Sequence, residues 1–72
     1  MESIKKNLLE ILDKMDVPVL RKEITPANLR WLQRNLGIRN QNHAEFPSAV
    51  HFINTLLWAV GDWNDEKLDS HG

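Results

Sequence analysis

Cysteine and tyrosine are absent from this chain, and glycine and proline are held to three residues each. Without cysteine there is no disulfide framework and no thiolate to serve as nucleophile or metal ligand. Without tyrosine there is no phenol to act as an acid. The few glycines form no phosphate-cradling loop. No apolar run approaches the roughly 18 to 20 residues that a membrane span needs. Glu2, Lys5 and Lys6 interrupt the N-terminal apolar positions, unlike a secretory signal. Internal repeats and low-complexity runs are also lacking, and the expected compartment is the cytoplasm.

What is present suffices for one small domain. Of 72 residues, 42% are hydrophobic and 26% charged, with three tryptophans. That composition can build a core, although a chain of this size buries only about 60% of the surface it exposes when unfolded. Good packing or a second subunit must therefore supply the stability that disulfides supply elsewhere.

Hydrophobic periodicity predicts three helices. Ser3 is placed to cap the first, over 3–16, where Ile4, Leu8, Ile11, Leu12 and Met15 form one stripe, with Leu9 at its edge. Pro18 forces Val17 toward extended geometry, so Val17–Leu20 reads as a connector. The second helix is expected over 26–36. Thr25 is its cap, Pro26 its first residue and Gly37 its left-handed terminator, with Ile38 folding back on the last turn. Leu29, Leu32 and Leu36 lie within about 60° of arc and mark its buried face.

Arg39 to Glu45 is expected to be a polar loop. Asn42 and Glu45 resemble a capping box, but Pro47 argues for a short turn at 43–46 before the main helix. The third helix is expected over 47–60, stopping at Gly61. Ala49, Val50, Phe52, Ile53, Leu56, Leu57, Ala59 and Val60 cover close to half its circumference, as a central helix touching two neighbours requires. The fold expected is an all-α, antiparallel three-helix bundle over 1–63, followed by a flexible acidic tail over 64–72.

The formal charge of −1 conceals a segregated pattern. Residues 1–16 sum to −1, residues 17–44 to +4 and residues 45–72 to −4. The basic block holds Arg21, Lys22, Arg30, Arg34 and Arg39 against Glu23 alone. The acidic block holds Glu45, Asp62, Asp65, Glu66 and Asp69. Mutual neutralisation within the bundle is the simplest account, since exposed pairs are worth about 0 to 1 kcal/mol. Chain-to-chain association is the second. Contact with nucleic acid through Arg30, Arg34 and Arg39, helped by Asn35, Asn40 and Gln41, is the third.

A helix-turn-helix fails on spacing, because that motif joins its helices by three or four residues. It survives only if 19–23 forms a one-turn helix leading into helix two.

Three tryptophans remain to be explained. Trp58 falls outside the apolar arc of helix three, beside His51, Thr55 and Asp62. Either helix one or the tail covers it, or it anchors an interface. Trp31 is expected to fill core; exposed with Arg30 and Arg34, it would instead form a patch able to stack on a base or hold an acidic peptide. Trp63 is expected to pack back on Phe52, Leu56 and Ala59.

His43, His51 and Glu45 match no zinc-ligand spacing. Ser48, His51 and Asp62 share one face of helix three without a pocket or oxyanion hole. No metal, cofactor, small-molecule substrate or catalytic site is therefore assigned. The function expected is a non-enzymatic adaptor or regulator. It would bind a protein, or itself as a homodimer, through Trp58, His51, Thr55 and Asp62, with Arg30, Arg34, Arg39 and Trp31 as a basic patch. Nucleic-acid binding through that patch and the Asn40–Asn42 loop is the alternative.

Overall fold

The computed structural model describes residues 4–63, apart from the side chain of Asp62. The Ser3 cap and the acidic tail over 64–72 lie outside the described residues. The chain forms an antiparallel three-helix bundle: α1 (Ile4–Lys14), α2 (Pro26–Arg39) and α3 (Phe46–Trp58), with an extended connector before α2. Short 3-10 turns occupy Arg21–Glu23 and Ala59–Asp62. No helix among the described residues is long and apolar enough to cross a membrane.

The first helix ends two residues earlier than its periodicity suggests. Asp16 adopts φ 58°, and the Asp16 and Val17 amides donate to the Asp13 and Leu12 carbonyls at 3.0 and 2.9 Å. This is the double closure of a Schellman motif, with aspartate where glycine usually stands. The motif turns Val17 inward, against the core. A left-handed aspartate carries a steric cost that glycine avoids. Asp16→Gly is therefore expected to raise stability by about 0.5 to 1 kcal/mol in urea denaturation; a loss of stability would show that the carboxylate has a compensating role.

Thr25 caps α2 as its sequence implies, its hydroxyl accepting from the Asn28 amide at 3.3 Å. A second tie comes from the Asn28 side-chain amide, which donates to the Glu23 carbonyl at 2.7 Å. Ahead of the cap, the Glu23 carboxylate accepts from the Leu20 amide at 3.1 Å and closes the 3-10 turn.

At its other end α2 corrects the expectation. The helix runs through Gly37 to Arg39, and Asn40 is the cap, its amide donating to the Leu36 carbonyl at 2.8 Å. Gly37 is not left-handed, and Ile38 does not fold back; it is 73% exposed. Nothing lies within 4 Å of where a Cβ at position 37 would sit. Gly37→Ala should thus stabilise the domain by about 1 kcal/mol, the helix-propensity difference, read as a rise in thermal midpoint. A left-handed residue 37 would give the opposite sign.

The turn before α3 uses a histidine rather than the Asn42–Glu45 box. The Glu45 amide donates to Nδ1 of His43 at 3.0 Å, and the Phe46 amide to the His43 carbonyl at 3.0 Å. Pro47 sits inside the first turn of α3, where its missing N–H interrupts no intrahelical bond. The α-helix gives way at Trp58 to a 3-10 turn that carries Gly61.

As its wide apolar arc requires, α3 packs against both other helices. The core is Leu8, Leu12, Met15, Ile24, Leu29, Leu32, Leu36, Ala49, Ile53 and Leu56. On α1 the buried face is rotated from the stripe read in sequence. Ile4 and Ile11 are only partly buried, whereas Lys5 is 3% exposed. The lysine lays its stem along the core and holds Nζ over the Trp63 ring, 5.1 Å from its centroid. Trp63 is half-buried against the core.

Candidate protein-interaction surface

With Ala49, Ile53 and Leu56 turned to the core, α3 points Pro47, His51, Asn54 and Trp58 the opposite way, at spacings of four, three and four. All four are exposed. Trp58 is 89% exposed, so neither α1 nor α2 closes over the indole. His51 stands on the same face, its ring edge-on to Phe52 with centroids 5.8 Å apart. Thr55 is half-buried, and its hydroxyl donates to the His51 carbonyl at 2.9 Å. That hydroxyl's proton is thus committed within the helix. The backbone of Asp62 closes the last 3-10 turn, and its side chain lies outside the described residues.

The second group of sequence-derived residues sits on α2. Arg30, Arg34 and Arg39 are all exposed. Trp31 departs from the expected core role: it is 63% exposed, because Leu29, Leu32 and Leu36 occupy the buried face and position 31 projects from the far side.

A side-chain hydrogen bond from Gln33 to Asn54 ties α2 to α3 along their outer seam. In an antiparallel pair the residue a turn before Gln33 is level with the residue a turn after Asn54. Arg30 and Trp58 therefore stand at the same height along this seam. Of the three arginines Arg30 alone borders the Trp58 face; Arg34 lies with Trp31 around the far side of α2.

No metal-holding cluster of three His, Asp or Glu side chains exists among the described residues. His43 is engaged by the Glu45 backbone amide, and His51 projects from the outer face of α3. The turn Arg21–Glu23 meets the condition that would rescue a helix-turn-helix only in part. Three residues of 3-10 turn supply no helix to cross a nucleic-acid backbone.

Two features of this surface escape a reading by periodicity alone. Ala27, Trp31, Arg34 and Ile38 form an outward stripe on α2 at spacings of four, three and four. Taking Gly37 as a stop removes Ile38 from the helix and hides the pattern. Ile24 is buried from an irregular segment that has no periodicity to read. No protein-family model matches the chain, and no curated protein or solved structure matches it.

Proposed function

We propose that this protein is a small non-enzymatic adaptor or regulator that works by binding protein, a second copy of itself included, through the outer face of α3. The observation that carries this reading is the exposure of Trp58 on the helix that forms the bundle's spine. A tryptophan left in water has a large apolar area to bury on contact, and such residues dominate interface energetics. His51 and Thr55 form the more polar surround, and Arg30 reaches the same seam from α2. The cysteine-free composition is compatible with a cytoplasmic protein.

A photo-crosslinking amino acid at position 58, with the chain expressed in its own cell, tests this. The expected product is a discrete adduct, either a dimer of the chain or a complex with one partner. The same group at exposed Glu10 should give none. Absence of any adduct at position 58 would remove the proposal.

The exposure of Arg30, Arg34 and Arg39 on a helix free of acidic residues favours one other reading, contact with nucleic acid. Its support is weaker because the chain is net acidic and the patch carries only three arginines. Fluorescence anisotropy with single-stranded and duplex DNA and RNA should show no binding even at low ionic strength, where phosphate contacts are strongest. Salt-sensitive binding abolished in Arg34→Glu would favour this second reading.

A further inference from the structure

Opposite its core residues, α2 leaves a second apolar stripe uncovered. Ala27, Trp31 and Ile38 lie on it with Arg34, and all four are exposed, Trp31 to 63% and Ile38 to 73%. A surface helix normally has one apolar face; two imply a second neighbour. Beside Trp31 the connector and α2 enclose a groove, formed by adjoining hollows of 420 and 520 Å³ that share Pro18, Val19, Trp31 and Leu32. Arg39 and Asn40 stand with Asp16 at one end of it and Glu23 at the other, so the groove itself is of mixed charge and the positive charge belongs to the outer face of the helix.

Charge decides what fits. The helix carries Arg30, Arg34 and Arg39 and no aspartate or glutamate. Laying it against the same helix of a second copy would oppose arginine to arginine, which disfavours a symmetric pairing on this stripe. Nucleic acid would use the arginines but would leave Ala27, Ile38 and the apolar groove in water. An amphipathic helix with acidic flanks satisfies both demands.

We infer that the outer face of α2 docks an acidic amphipathic helix of a partner protein. Its carboxylates pair with Arg30, Arg34 and Arg39, its apolar residues cover Trp31 and Ile38, and one apolar side chain enters the groove beside Val19. This surface is separate from the Trp58 face and does not depend on it, although Arg30 borders both.

The test is selection of binders to the full chain from a library of short random peptides, followed by anisotropy and indole and amide NMR shifts with the tightest peptide. Selected peptides should be rich in Asp and Glu, with bulky apolar residues at helical spacing. The Trp31 indole and the amides of α2 should shift on binding. Trp31→Ala and Arg34→Glu should each weaken binding about tenfold or more, with helical circular dichroism unchanged because both residues are exposed. Trp58→Ala should bind as the parent does.

Neutral or basic selected peptides would overturn the inference, as would binding indifferent to Trp31→Ala and Arg34→Glu. Displacement of the peptide by a single-stranded oligonucleotide of equal charge, with the oligonucleotide binding more tightly, would assign the face to nucleic acid instead. Self-association of the chain abolished in Trp31→Ala would assign it to a second copy. Because Trp58 lies elsewhere, the peptide and oligonucleotide outcomes leave the crosslinking result at position 58 untouched, and self-association through Trp31 bears on it only if that adduct is a dimer.

Discussion

Ile53→Ala should unfold most of this protein at physiological temperature. Ile53 is fully buried on α3, the helix that both others pack against. Truncating a buried isoleucine costs about 2 to 5 kcal/mol, the spread reflecting how far neighbours collapse into the cavity. A single core of this size rarely supplies more than about 3 to 5 kcal/mol, so the loss is comparable with the whole stability. Alanine is the better helix former. Any loss of helix must therefore come from packing.

The matching control is Ile38→Ala, which removes the same atoms from a side chain exposed to 73% and should change stability by no more than about 0.5 kcal/mol. Thermal and urea unfolding followed by circular dichroism compare the two. For a domain of this length each kcal/mol moves the midpoint by about 4 to 8 °C, so the contrast should be wide. Similar midpoints for the two variants would mean that α3 is not the centre of the bundle.

Trp58→Ala should show the reverse pattern, keeping the fold while weakening recognition. The indole is 89% exposed, so its removal opens no cavity and strands no buried polar group. Stability should stay within about 0.5 kcal/mol of the parent. Binding of the crosslinked partner, or self-association if the adduct is a dimer, should weaken by about 2 kcal/mol or more, roughly thirtyfold, as central interface tryptophans do. Sedimentation velocity across micromolar concentrations measures this for a dimer, and titration calorimetry for a heterologous partner. His51→Ala, nearer the edge of the face, should have the smaller effect. A Trp58→Ala variant that binds normally would leave the indole without a role in recognition. One that unfolds would mean that the ring is covered by its own chain.

Loss of binding rather than loss of fold separates the two tryptophans of the outer surface from the core, and their positions are unequally legible. On α3 the apolar residues claim so wide an arc that counting 100° per residue puts Trp58 outside it, but that count leaves open whether another element covers the ring; its 89% exposure is a result of packing. Trp31 is harder to place. It lies about 100° from Leu32, a position that another element could have covered. That none does depends on where α1 and the connector pack. The continuation of α2 through Gly37 is likewise a matter of context. Glycine ends a helix only when a left-handed residue is needed there, and here Asn40 provides the stop with its backbone amide on the Leu36 carbonyl. The left-handed residue falls instead at Asp16, a residue type that gives weaker warning than glycine.

From residue order alone came the number of helices, the Thr25–Pro26 start of α2, the spine character of α3 and the outward direction of Trp58. These are local properties, set by helical periodicity and by which backbone angles proline and threonine allow. Tertiary packing alone decided that Lys5 lies inward beneath Trp63, that Ile24 enters the core, that Trp31 and Ile38 share an uncovered stripe, and that Arg30 stands level with Trp58. Each of these depends on how one helix is rotated and shifted against another. A repeat of 3.6 residues defines a face, but it leaves open which other face will meet it.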